Sequence, residues 1–295
     1  MPAIAFIGNG AVVYVTIRSK TLRSPCNLLI ALVSLSDMVV VCAEPIATIF
    51  HNIVRSETVP RSICTYLELP SMFAACTSPM FLLATTIDRR LCIMTFYDAM
   101  IASYSKYYLV AQILPGCIFA IAVEVIALKD LNAEKQVMCS LESTMMGTPS
   151  IMYVKTILIV CLLIVLCNAS FLLFLRKLRM SSGVSKSVHR SVFVICMTVV
   201  LGYFCAVFIF SLREALNLDV DLLNWSIFTG LFCNLAYCFN FFVYYINSKE
   251  YRAIFDDLLG IGHMKALLCR RKRIGDQQVA TLQNARPNNH VTHGI

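Results

Sequence analysis

Seven predominantly apolar stretches divide the chain, at Pro2–Ile17, Cys26–Phe50, Cys64–Thr86, Tyr107–Ala127, Ile151–Leu175, Ser191–Leu212 and Leu223–Ile246, with short polar connections between them. A bilayer core of about 30 Å takes roughly 20 apolar residues of helix, and all the stretches but the first reach that length. Within each, apolar residues run all round rather than in alternation, which predicts lipid-facing helices and excludes the strands of a β-barrel. The fold class expected is an all-α membrane protein, a seven-transmembrane helix bundle without internal repeat or inverted symmetry. Only eight residues precede Asn9. Either the first helix is truncated at its outer end or a preceding segment is missing, and no cleavable signal sequence stands ahead of it.

Composition agrees with this pattern: 58% of residues are hydrophobic and 14% charged. A soluble domain carries about a quarter charged residues, so an ordinary soluble domain, a disordered chain and a fibrous repeat are all excluded. Charge gives the orientation. One set of connections, together with the tail, holds 19 of the Lys and Arg residues and the other holds five, with Lys155 inside the fifth stretch. Basic loops stay cytoplasmic, so the amino terminus is expected outside and the tail inside. The net charge of +8 therefore calls for no nucleic acid; it is a topology signal, with attraction to anionic inner-leaflet lipid in addition.

Fourteen cysteines test that topology. Cys64 and Cys139 fall at the outer face, Cys26 and Cys92 near the inner face and Cys269 in the tail, with the other nine inside spans. Disulfides persist in oxidising compartments. The outer pair is read either as a bridge tying the loop between spans four and five over the third helix, or as two unrelated loop thiols. An even exposed pair favours the bridge.

Depth singles out a polar layer. At about 1.5 Å per residue, Asn9, Asp37, Ser78 and Asn240 each lie roughly 13 to 16 Å from the inner face, on spans one, two, three and seven. An aspartate at that depth is costly unless it faces the bundle and finds partners. The layer is either a structural hydrogen-bond cluster or an ion-binding switch. Along the third span Glu68, Ser71, Ala75, Ser78, Leu82, Thr86 and Arg89 recur at steps of three or four, hence on one face. That stripe runs roughly 31 Å, from the outer mouth to the inner rim.

The motifs Gly8-Asn9, Thr21 to Ile30, Asp37, Cys64, Asp88-Arg89, Cys139 and Asn240-Phe241-Phe242-Val243-Tyr244 resemble those of the rhodopsin-like G-protein-coupled receptors, in the same order and on the same spans. The short first cytoplasmic loop, Leu22-Arg23-Ser24 leading into Cys26-Asn27, is most similar to the nematode serpentine chemoreceptors of class SX. The resemblance implies a receptor domain over residues 1–259, ending in an amphipathic eighth helix at Lys249 to Leu259, and a basic, disordered cytoplasmic tail over 260–295. It implies a chemosensory receptor that takes a small molecule or short peptide from outside and activates a heterotrimeric G protein. Its expected place is the plasma membrane, in sensory neuron cilia, with lipid as a partner and no cofactor.

Residue by residue, Arg89 is expected to meet the G protein once freed from Asp88, and Tyr244 to swing inward on activation. Asp37, Asn9, Ser78 and Asn240 match the central network that in relatives holds a sodium ion. Tyr237, one turn above Asn240, stands where a small polar residue is usual and counts against the ion. Arg90 replaces the aromatic residue usual after the arginine, and Phe241 replaces the proline of the seventh span. No proline occurs in spans five to seven, so fewer sharp kinks are expected there.

The outer halves of the helices offer Glu44, Glu68, Ser71, Met72, Glu124 and Lys155 as ligand candidates, with Glu124 and Lys155 placed to pair internally. An amine receptor's aspartate would stand at Ser71, which argues against a biogenic amine. Cys269, ahead of Arg270 to Arg273, is a palmitoylation candidate. A transporter would show Gly- or Pro-broken helices in paired halves. A membrane enzyme would show clustered ligands, yet every histidine lies outside the spans and no second midplane aspartate faces Asp37. A non-signalling, accessory seven-helix protein is the remaining alternative to a receptor.

Overall fold

The computed structural model describes residues 2–54, 58–131, 135–178, 193, 194, 197, 198, 200–202, 204, 205, 208, 209 and 222–262. Helices α1 (Pro2–Arg18), α2 (Pro25–Val54), α3 (Arg61–Leu91) and α4 (Tyr97–Lys129) come first. The short α5 (Leu141–Thr144), the long α6 (Thr148–Leu178) and then α7 (Leu222–Asn247) and α8 (Lys249–Leu258) follow. The described residues between 193 and 209 are helical and cover part of the sixth stretch. Four described helices are long and apolar enough to cross a membrane, Pro25–Phe50, Arg61–Leu91, Tyr97–Lys129 and Thr148–Phe171. The 17-residue α1 is shorter, and α7 carries no charged side chain over its 26 residues.

Local chemistry sets the element ends. Prolines Pro2 and Pro25 open α1 and α2, where a missing N–H costs nothing and the fixed φ suits a first turn. Helix α5 starts with a reciprocal cap: Ser143 N donates to Ser140 Oγ and Ser140 N to Ser143 Oγ, both at 3.2 Å. Gly147 turns the chain into α6 at φ 90°, a conformation that L side chains resist. Within α4 the helix breaks at Tyr104 (φ −132°, ψ 25°). The segment 97–103 is thus a separate helical piece next to the end of α3, and the long helix follows it.

Helix α3 is the hub, packed against α2, α4, α5 and α6, while α1 packs against α2 and α7. Its stripe residues Glu68, Ser71, Ala75, Ser78, Leu82 and Thr86 are all buried. Glycine lets α1 approach α7 closely: a Cβ on Gly8 would lie 2.9 Å from Phe241 Cβ. The residue that stands in place of the seventh-span proline is therefore seated directly on α1. In α8, Tyr251 and Phe255 are buried and their rings lie 5.8 Å apart, on one face of the helix.

Candidate functional site

Helix α3 carries three layers of polar chemistry, and at each level a different kind of bond holds it. The outer layer is a cap. Cys64 and Cys139 are joined by a disulfide (S–S 2.13 Å, Cα–Cα 5.3 Å). Beside it, Val59–Pro60 pairs antiparallel with Gln136–Val137, and Arg61 N donates to Lys135 O at 2.8 Å. Val59, Cys64, Val137 and Cys139 form one buried apolar cluster beneath. The Arg61 side chain, itself buried, donates to three main-chain carbonyls: Asp130 O at 3.3 Å, Thr144 O at 3.2 Å and Met146 O at 3.1 Å.

The middle layer joins four helices. Ser78 Oγ donates to Asp37 Oδ1 at 2.6 Å, and Asn240 Nδ2 donates to Asp37 Oδ2 at 2.6 Å and to Asn9 Oδ1 at 3.3 Å. Asn9 Nδ2 closes the chain by donating to Tyr237 O at 3.1 Å. All four side chains are buried. Asp37, on α2, thus bonds to α3 through Ser78 and to α7 through Asn240. Its two oxygens are both engaged, and Asn240 Oδ1 is the one buried oxygen of the layer without a hydrogen-bond partner.

At the inner layer, Asp88 Oδ1 accepts from Tyr97 OH at 2.9 Å and from Tyr108 OH at 2.8 Å. The two tyrosine rings meet edge to face, 6.1 Å apart at 89°. Arg89 lies against the Cys26 thiol at the start of α2, and Arg90 donates to Ser170 Oγ on α6.

The family model for the serpentine-type 7TM GPCR chemoreceptor Srsx matches residues 3–259. This chain belongs to the Srsx family. No curated protein matches it. The Srsx chain is thus a multi-pass membrane protein of seven-transmembrane fold, and a chemosensory G-protein-coupled receptor type rather than an enzyme.

Among the ligand candidates of this Srsx receptor, Glu68 and Ser71 share the buried stripe of α3, with the Ser71 hydroxyl beside the Glu68 carboxyl as a donor to it. Met72 packs instead into an apolar cluster with Cys76, Ala120, Val123 and Met145. The expected internal pair is not formed: Glu124 is half-buried between α3 and α4, while Lys155 is exposed on α6. The two match in depth, but depth leaves the direction around each helix open, and here the directions diverge. The side chain of Glu44 and residue Cys269 lie outside the described residues. Sequence reasoning missed Arg61, Tyr97 and Tyr108. Arg61 reads as one more outer charge, and tyrosines are common at both membrane interfaces for reasons unrelated to any one partner.

Proposed function

We propose that this Srsx receptor lies in the plasma membrane of sensory cilia with its amino terminus outside, receives a small molecule or short peptide in the outer half of the bundle, and activates a heterotrimeric G protein at its inner rim. The observation that carries the reading is the continuity of α3. One helix face runs buried from the disulfide level, through the Asp37 layer, to Asp88 and Arg89. A ligand that shifts the outer part of this helix acts on a rigid element whose other end reaches the cytoplasm.

In this reading the receptor domain covers residues 1–259 and the basic tail covers 260–295. Glu68, buried beside Ser71, offers its carboxyl to a donor group on the ligand, since a buried carboxyl is costly unless its hydrogen bonds are met. Asp88 is held by Tyr97 and Tyr108 at rest, and Arg89 meets the G protein when the rim opens, with Tyr244 moving inward beside it. The Asp37 layer links the two events. No step is routed through a sodium ion.

The test is a ligand screen read by G-protein activation, alongside localisation to sensory cilia. Arg89→Ala is expected to abolish activation while surface expression persists. Unaltered activation in that variant contradicts the coupling role, and loss of activation by every ligand in the wild type favours a non-signalling accessory role.

A further inference from the structure

The connection between α1 and α2 concentrates positive charge. Arg18 closes α1, Lys20 opens the 3-10 turn Lys20–Leu22, and Arg23 stands two residues before α2; all three are exposed. No acidic residue precedes Asp37, and Asp37 is buried and already engaged by Ser78 and Asn240. None of the three cations has an ion-pair partner among the described residues, and the Arg18 and Lys20 side chains have no hydrogen bond there. The end of the α1 dipole places about half a negative charge in this segment and the start of α2 about half a positive one. The two cancel, and three full charges stand uncompensated.

The fold also draws these charges together. Arg23 Nη2 donates to Ile17 O at 3.1 Å, which folds the guanidinium back onto the end of α1, where Arg18 follows Ile17 directly. Leu22, fully buried, pins the turn between them. Like charges held side by side repel until an anion meets them. The side on which they stand is set by α1: Tyr14 and Ile17 are 51% and 64% exposed, and Arg18 follows Tyr14 by four residues, on the same helix face. Exposed apolar side chains on a membrane helix face lipid, so Arg18 meets the membrane boundary from the lipid side rather than from inside the bundle.

We propose that this connection binds the headgroup of a cytoplasmic-leaflet lipid that carries phosphomonoester groups, a polyphosphoinositide, with Arg18, Lys20 and Arg23 on its phosphates; the proposal rests on the inward orientation of this connection given under Proposed function. Charge selects the headgroup. Each phosphomonoester carries about −1.5 to −2, so two of them on one ring meet all three cations with a single immobilised molecule, where singly charged phosphatidylserine would take three. Geometry agrees, because a guanidinium meets phosphate oxygens through paired N–H donors, and Arg23 spends one donor on Ile17 and keeps the others. The acyl chains of the same lipid then lie along Tyr14 and Ile17.

The test titrates the full receptor in detergent micelles with phosphatidylinositol 4,5-bisphosphate, with phosphatidylserine and with inositol 1,4,5-trisphosphate, the bound molecules counted by native mass spectrometry. The bisphosphate lipid is expected to bind at least tenfold more tightly than either of the others. Arg18→Gln/Lys20→Gln removes two charges without breaking a hydrogen bond among the described residues, so the melting temperature is expected to stay that of the wild type. Binding of the bisphosphate lipid is expected to fall about thirtyfold, roughly fivefold for each cation lost near a charged lipid surface. Lys129→Gln/Lys135→Gln loses the same charge from the other end of the bundle and is expected to leave binding unchanged, as is neutralisation of Arg270 to Arg273 in the tail. Equal binding of phosphatidylserine, binding that survives Arg18→Gln/Lys20→Gln, or binding abolished by the tail variant overturns the proposal; equal binding of the trisphosphate overturns the lipid as its source in favour of a soluble phosphate. Orientation plays no part in micelles, so an inverted topology leaves these results unchanged and shows instead as a tail that can be labelled on intact cells.

Discussion

At its outer end α3 is fastened by a covalent bond, a two-residue ladder and an arginine whose partners among the described residues are main-chain carbonyls. At its inner end the same helix is held by side-chain hydroxyls on one carboxylate and by arginine side chains reaching α2 and α6. The contrast is one of reversibility. The disulfide and the main-chain ladder cannot part by side-chain rotation, whereas a tyrosine hydroxyl leaves Asp88 by a rotation of its side chain. A helix held this way has its releasable bonds at the end away from the disulfide.

The comparison breaks most visibly at the disulfide. Cys64→Ser or Cys139→Ser is expected to cost about 2 to 5 kcal/mol and to trap the protein inside the cell; normal surface levels of both variants, measured by cell-surface biotinylation, would remove the covalent part of the outer frame. Next comes Arg61→Ala, which leaves three carbonyls without their donor and is expected to cost on the order of 3 kcal/mol. Its melting temperature in detergent should fall well below that of Arg61→Lys, and equal melting of the two would show that charge rather than the three-carbonyl geometry matters. Gly8→Ala probes neither end: a methyl 2.9 Å from Phe241 Cβ forces α1 and α7 apart. Overpacking of this kind costs about 1 to 3 kcal/mol, visible as a lower melting temperature with the cap disulfide intact. The smallest effect lies at the inner rim, where Tyr97→Phe and Tyr108→Phe each remove one hydrogen bond, worth about 1 kcal/mol. There the change should appear as raised basal activity rather than as lost stability.

The spans were legible because a bilayer demands length and polarity of every segment that crosses it. The expected second span, Cys26–Phe50, and the Cys64–Thr86 stretch fall inside α2 and α3, and both helices run further because backbone hydrogen bonds do not stop at the edge of the hydrocarbon. The fourth span was harder to bound: Tyr97 to Ser103 is helical but lies before the break at Tyr104, outside the apolar run that marks the membrane. Asn9, Asp37, Ser78 and Asn240 could be grouped from the sequence because a polar side chain at midplane is expensive and depth is simple arithmetic along a helix. Depth alone misled for Glu124 and Lys155, whose azimuths differ. The tyrosine clasp on Asp88 was not legible at all, since it depends on the turn between α3 and α4 bringing Tyr97 back over the carboxylate, and no spacing rule encodes that turn.

The central claim, that the inner rim is held shut by tyrosines on Asp88 and acts through Arg89, is tested most directly by basal nucleotide exchange on a purified heterotrimeric G protein with the receptor in nanodiscs and no ligand. The Tyr97→Phe/Tyr108→Phe double variant is predicted to raise exchange above the wild type, and adding Arg89→Ala to abolish the gain. Exchange that stays at the wild-type level in the double variant, or a gain that survives Arg89→Ala, would contradict it.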